Sequence, residues 1–382
     1  MKKIRFGIIG CGLMGKEFAS AAARWCHLRD MQAAPEIVAV CDQNEEPRRW
    51  FDFPSVKQST ADYRELLANP EVDAVYCAVP HNLHQQVYCD TIEAGKHLFA
   101  EKPFGIDLEA NNAILESIRR HPEVVVRCCS QFPYFPAVQA IGRMISEKAF
   151  GTILEVNAGF LHSSDLDADK PANWKRIVAF NGEYGAMGDL GMHVCHVPFR
   201  AGWTPLNVRA ILSNVIRERP DGKGGRVACD TWDNATLLCE AAGDEGQTFP
   251  MTLRTQRIAP GESNTWYLEI KGLKACARFT SRNPNILSLL EYKDGAQDWR
   301  EVCVGYQSAF PAITGGIFEF GFTDAILQMW AAFVTEVAGE RLPDTLLAQA
   351  ATPEEANLSH RLFTASLESA KTGETRRVAP VA

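Results

Sequence analysis

Between a short apolar run and an alanine-rich stretch lies Gly10-Cys11-Gly12-Leu13-Met14-Gly15, and this placement restricts the fold more than any other feature. Ile4-Arg5-Phe6-Gly7-Ile8-Ile9 reads as a buried parallel strand, and residues 16–28 read as a helix. Strand, glycine turn and helix together form the phosphate-binding unit of a dinucleotide domain. Gly10 permits the tight turn, Gly12 lets the backbone approach a pyrophosphate, and Gly15 lets the helix pack closely. Amides at Leu13 and Met14, with the helix dipole, then bind the anion. The competing reading is a strand-to-helix turn with no ligand.

The pattern continues. Residues 36–41, 73–79, 97–100 and 124–129 read as further buried strands separated by helices, which predicts a parallel sheet with helices on both faces. Asp42, at the end of the second strand, is expected to accept hydrogen bonds from an adenosine ribose and so to favour NAD over NADP. It lies farther from the turn than the usual spacing of about 20 residues, because residues 27–35 lengthen the connection. Arg48 and Arg49 weigh toward NADP, or are simply a solvated helix face.

With 382 residues the chain is too long for one ordinary core and predicts two domains. After about residue 150 the texture changes. Residues 153–161, 207–216, 235–240, 249–255, 266–271, 275–279 and 287–292 are closely spaced strand-like runs, as in a mostly antiparallel sheet. Helical patterns return at 323–338 and 353–370, and residues 217–226 read as a mobile loop. The expected fold is α/β: a Rossmann domain over 1–126 and an α+β domain over 127–382.

A hydrophobic content of 46% and a charged content of 23% suit an enzyme-sized globular protein. The formal charge of -8 argues against nucleic acid and anionic membranes, which need a basic footprint. No apolar run approaches a membrane span, and residues 4–9 are too short for a secretory signal. The 12 cysteines sit largely in apolar runs without zinc-ribbon spacing, so they read as reduced thiols of a cytoplasmic protein.

Two motifs end neighbouring strands, Ala78-Val79-Pro80-His81-Asn82-Leu83-His84 and Glu101-Lys102-Pro103. In a parallel sheet both reach the carboxyl edge, where ligands bind. A third, Gly185-Ala186-Met187-Gly188-Asp189-Leu190-Gly191-Met192-His193-Val194-Cys195-His196, puts Asp189, His193 and His196 on one helical face. Its glycines would let the helix approach a ligand.

The glycine turn, Pro-x-x-x-His, Glu-Lys-Pro and Asp-x-Gly-x-His, in this order, resemble the Gfo/Idh/MocA oxidoreductase family over essentially the whole chain. The resemblance implies a large, mainly antiparallel open sheet in the second domain, which commonly mediates oligomerisation, here as a dimer or tetramer. It implies NAD held by Gly10, Gly12, Leu13, Met14, Gly15, Asp42, Val79, Pro80, His81, His84, Glu101 and Lys102. Lys102 would sit beside the nicotinamide and the reacting hydroxyl, His193 would be the general base, and Asp189 would orient the substrate or the histidine. The Lys102–Pro103 bond is a candidate cis peptide. Gln131, Trp174, Lys175 and His196 join Lys102, Asp189 and His193 as expected substrate contacts. A metal on Asp189, His193 and His196 is the weaker alternative, since no further ligand cluster is evident.

Two positions depart from the family pattern. His196 stands where an acid is usual, and Gln131-Phe132-Pro133-Tyr134-Phe135-Pro136 stands where Asn-x-Arg-Phe-x-Pro is common. The expected reaction is hydride transfer between NAD and a secondary hydroxyl or ketone of a sugar, cyclitol or glycoside. Alternatives are an NAD-dependent oxidoreductive glycosidase and a non-catalytic dinucleotide-sensing regulator.

Overall fold

The computed structural model describes residues 1–243, 246–305, 308–315 and 317–380. Its first part alternates β1 (Lys2–Ile9), α1 (Leu13–Ala23), β2 (Ala33–Cys41), α2 (Glu45–Arg49), β3 (Gln58–Thr60), α3 (Tyr63–Leu67), β4 (Ala74–Cys77), α4 (His84–Glu93), β5 (His97–Ala100), α5 (Leu108–Arg120) and β6 (Val126–Cys128). The six strands pair in parallel in the order β3-β2-β1-β4-β5-β6. Strand order reverses between β1 and β4, the place where an open α/β sheet leaves a ligand crevice.

The second strand starts three residues earlier than its composition suggests, and Pro35 lies inside it opposite Ile4. Proline is tolerated there because β3 pairs only with Ala39, Val40 and Cys41, which leaves the other edge of β2 open at Pro35. The first helix ends at Ala23, before a single 3-10 turn at Trp25–His27, rather than running to Leu28.

The second part contains α6 (Pro136–Ser146), β7 (Ile153–Leu161), α7 (Val178–Asn181), α8 (Ala186–Arg200), β8 (Thr204–Ser213), β9 (Glu218–Pro220), β10 (Arg226–Ala228), β11 (Asn234–Ala242), β12 (Thr248–Gln256), β13 (Thr265–Gly272), β14 (Ala275–Thr280), β15 (Ile286–Glu291), β16 (Arg300–Cys303), α9 (Phe322–Val337), α10 (Pro353–Thr372) and β17 (Arg376–Arg377). Nine strands form one sheet in the order β16-β15-β14-β13-β7-β12-β11-β8-β17. Among the described residues, every pairing in it is antiparallel except β7 with β12. Alternation along β11 and β12 is strict, with one face buried and the other partly exposed, as a one-sided sheet requires.

Helix α8 is buried from Ala186 to Phe199, between this sheet and α10. The two parts share a core. Trp330 of α9 stacks on Phe18 of α1 with ring centroids 3.6 Å apart, and it meets Phe6, Tyr76 and Phe99 edge-on. Thr352 and Glu355 form a capping box at the start of α10, and Gly373 ends it with a left-handed backbone.

The expected mobile loop at 217–226 is a hairpin instead. Strands β9 and β10 pair antiparallel, and the Arg219 side chain is buried. Its guanidinium donates to the carbonyls of Asp165, Asp167 and Lys170, so the fork ties the hairpin to the 165–170 loop.

Candidate active site

Gly12 caps α1 without a side-chain hydrogen bond, so the first amides of the helix stay open. The three glycines answer to different demands. Gly10 has φ +101°, and a Cβ there would lie 2.4 Å from the Ala78 carbonyl oxygen. A Cβ on Gly15 would lie 2.4 Å from the Gly10 carbonyl oxygen, whereas one on Gly12 would meet nothing within 4 Å. Two glycines therefore fit the protein to itself, and the third leaves a space. Leu13 is exposed and Met14 half-buried beside that space.

Asp42 follows β2 directly, and its carboxylate is fixed against the turn. Its Oδ2 accepts from the Cys11 amide at 3.0 Å, and its Oδ1 accepts from the Asn44 amide at 2.9 Å. Arg48 donates to the Asp42 carbonyl at 2.7 Å, and Arg49 pairs with Glu45 on the exposed face of α2.

Val79 and Pro80 are half-buried past the end of β4. The two histidines after them face backbone carbonyls. His84 is fully buried, with Nδ1 2.7 Å from the Pro103 carbonyl and Nε2 2.9 Å from the Val79 carbonyl. Both nitrogens face carbonyls of the loops that follow β4 and β5, and the neutral ring has one N–H to donate between them. His81 turns to the Asn181 carbonyl at 3.1 Å and rests edge-on against Trp174. The Glu101 side chain also points away, accepting from the Tyr76 hydroxyl at 2.7 Å in the core. The Lys102–Pro103 peptide is cis.

The charged centre is Asp189, in the first turn of α8, with a side chain 1% exposed. Lys102 Nζ donates to its Oδ1 at 2.8 Å and to its carbonyl at 2.6 Å. Lys175 Nζ reaches Oδ1 at 3.0 Å and Oδ2 at 3.3 Å. Arg257, just past β12, also contacts Oδ2. Behind them, buried Arg176 pairs with Asp233 at 2.9 Å and with Asp165 at 3.5 Å. Trp174 lies under Lys175, 5.5 Å from ring centroid to Nζ.

One helical turn on, His193 places Nδ1 3.4 Å from Ser130 Oγ and packs edge-on against Phe132 and Phe160. Gln131, next to Ser130, is buried. Burial, followed by the Lys102 charge, holds the His193 imidazole well below its ordinary range, so it is neutral near pH 7. Burial also pushes Lys102 down to about 8, against the opposing pull of Glu101. Burial and Arg257 hold Lys175 well below its ordinary value, and His162 at the end of β7 falls to about 4 through burial and the same arginine.

His196 does not join this group. It is fully buried, and its Nε2 lies 3.6 Å from Glu355 at the start of α10. The helical spacing is as expected, but α8 is buried all round, and His196 lies two turns beyond Asp189. The glycines of α8 likewise admit protein rather than ligand. A Cβ on Gly185 would lie 2.6 Å from the Trp232 amide, and one on Gly191 would lie 2.3 Å from the Phe363 ring.

Arg257, His162 and Ser130 were not predicted from sequence. Arg257 and His162 follow β7 and β12, the one parallel pair of the large sheet among the described residues, and that pairing places them side by side. A charge just beyond a strand end was the one available signal, and it is shared by many surface residues. Among the described residues, no group of three or more His, Cys, Asp or Glu side chains is placed to hold a metal ion, and no helix is long and apolar enough to cross a membrane. All 12 cysteines are free, and most are buried.

Comparison with known proteins completes the picture. Residues 4–127 match the GFO_IDH_MocA family model, described as an oxidoreductase family with an NAD-binding Rossmann fold. Levoglucosan dehydrogenase of Pseudarthrobacter phenanthrenivorans is 30% identical over 236 residues, 60% of this chain and 59% of that protein. The chain thus spans less than two thirds of that relative in the aligned stretch. Glucose-6-phosphate 3-dehydrogenase of Bacillus subtilis is 24% identical over 296 residues, covering 76% of this chain and 78% of that one. A solved levoglucosan dehydrogenase in complex with NADH and L-sorbose superposes over the whole of both chains with a TM-score of 0.86 at 23% identity, a likeness of fold.

Proposed function

Because residues 4–127 belong to the Gfo/Idh/MocA oxidoreductase family, with its NAD-binding Rossmann fold, we propose that this chain is a sugar dehydrogenase. It moves a hydride between NAD and a secondary hydroxyl or ketone of a sugar, cyclitol or glycoside. The part through β6 forms the cofactor domain, two residues past the expected boundary at 126, and the part after it supplies the substrate side. The observation that carries the reading is the meeting of Lys102 and Asp189 beside a neutral His193 at the carboxyl edge of the Rossmann sheet.

NAD, when bound, supplies the hydride acceptor; the residues here manage the rest. Open amides after Gly12 take the pyrophosphate, and the Asp42 carboxylate beside them favours a ribose without a 2′-phosphate. Asp189 holds the Lys102 ammonium in place, and that charge stabilises the oxygen as its proton leaves. The proton goes to Nε2 of His193, whose Nδ1 faces Ser130. In reduction the same atom returns it.

Leu206, Ile211 and Leu238 are exposed on the outward side of the nine-stranded sheet, which supports assembly into a dimer or tetramer. The free cysteines fit a cytoplasmic setting. The test is calorimetric titration with NAD, NADH and NADPH, followed by absorbance assays with sugars, cyclitols and glycosides. Tighter binding of NADH than of NADPH and reduction of NAD by a carbohydrate alcohol are expected. A protein that binds no dinucleotide sinks the proposal.

A further inference from the structure

The Asp189 pocket has more cationic donors than its single carboxylate can use. Lys102, Lys175 and Arg257 all converge on Asp189, and both of its oxygens are already taken. Lys102 and Lys175 each carry a third N–H beyond the two contacts they make with Asp189. Arg257 is 8% exposed, and its Nε is buried without any hydrogen-bond partner. A buried guanidinium N–H left unpaired costs free energy until an acceptor arrives.

Nearby carboxylates do not fill this need. Asp233 is spent on Arg176 and on the Val215 and Ile216 amides, Asp165 is shared between Arg176 and Lys170 and acts on Arg257 through its charge without a hydrogen bond, and the Glu101 side chain is turned to Tyr76. His162 and His193, the other titratable groups facing the pocket, are held neutral by burial. Recognition of a neutral sugar draws on free acceptors as well as donors. Here both Asp189 oxygens are taken, His193 Nε2 serves the reacting hydroxyl, and the spare N–H groups lie on Lys102, Lys175 and Arg257.

We infer that the substrate carries an acidic group, a sugar carboxylate, and that Arg257 with Lys175 forms the subsite that recognises it. The inference rests on the dehydrogenase reading and narrows it. A carboxylate matches the planar fork of a guanidinium with two parallel hydrogen bonds. A phosphate would meet the same donors through the same chemistry, so both are tested.

The experiment uses the full chain saturated with NADH, titrated by calorimetry with glucose, glucuronate and glucose 6-phosphate. Glucuronate should bind about tenfold more tightly than glucose or better, as expected for charge-assisted hydrogen bonds. Arg257→Gln should remove most of that preference while leaving NADH affinity within a few-fold of the parent, which also shows that the variant is folded. Equal affinity for glucose and glucuronate, or no binding of either, overturns the inference while NADH binding leaves the dehydrogenase reading standing. A clear preference for glucose 6-phosphate over glucuronate overturns the carboxylate assignment. If NADH itself fails to bind, both readings fall.

Discussion

At the glycine turn the open donors are backbone amides of consecutive residues, set by Gly10, Gly12 and Gly15 within one strand–helix unit. At the Asp189 pocket the working groups are side chains of Lys102, Ser130, Lys175, Asp189, His193 and Arg257, brought together by two sheets and a buried helix. The two proposed sites present donors to their ligands, and they obtain them differently. The turn uses dipoles that no side-chain substitution can remove, so it is changed only through shape. The pocket uses side chains, each of which is removable, and burial lowers Lys102, Lys175 and Arg257 from their ordinary titration ranges. The contrast predicts large, separable effects on chemistry at the pocket and effects on folding or binding alone at the turn.

The largest expected effect is on turnover. Lys102→Ala should lower kcat by roughly a thousandfold, the scale of losing one aligned electrostatic group in a dry site, while NADH affinity measured by calorimetry stays within a few-fold. Loss of binding in parallel with turnover would merge the two ends of the cleft and break the comparison. The pH profile sharpens it. Lys102 is pushed down to about 8 by burial, so turnover that needs its charge should fall as pH rises through that value. A rate that stays level well beyond it removes the Lys102 charge from the mechanism.

Next is Gly10→Ala. The new Cβ must sit in the left-handed region at φ +101°, 2.4 Å from the Ala78 carbonyl oxygen, with no side chain able to move aside. A loss on the order of 3 kcal/mol in urea unfolding is expected. Gly12→Ala is the milder counterpart, because nothing lies within 4 Å of its new Cβ. The melting temperature should be unchanged, while NADH binding weakens by about tenfold as the methyl holds the pyrophosphate off the amides. Unchanged binding would mean that no phosphate approaches Gly12.

The same contrast explains what the sequence could and could not reveal. The turn is local, so strand, glycines and helix are legible in the 25 consecutive residues 4–28, and the ends of β4 and β5 follow from their apolar runs. Lys102 and Asp189 were readable because their motifs are contiguous. Arg257 and His162 depend on β7 lying parallel to β12, a pairing across nearly a hundred residues that no local pattern encodes. Arg219 hid in a segment rich in glycine and charge, where its three carbonyl acceptors could not be foreseen. His84 and His196 were misread for a shared reason. Their spacing placed them correctly on their elements, but burial on several sides lets a polar side chain be consumed by protein atoms rather than by a ligand.

His196 gives the smallest effect and the cleanest separation from His193. Replacing His193 should abolish proton transfer, whereas His196→Leu at neutral pH should leave kcat/KM close to the parent, since that ring faces Glu355 and not the pocket. The difference should appear in stability instead. Burial lowers His196 from 6.5 to about 4, outweighing the neighbouring Glu355 carboxylate. A group depressed on folding is protonated first in the unfolded chain, so its contribution is fully present above pH 6.5 and is lost as pH falls through about 4. For a ring this deeply buried, the gap corresponds to at most about 3 kcal/mol. The parent should therefore lose unfolding free energy between pH 6.5 and 4 more steeply than His196→Leu, in urea titrations at each pH. Parallel curves would show that His196 titrates alike in both states, and a fall in kcat/KM at pH 7 would return it to the active site.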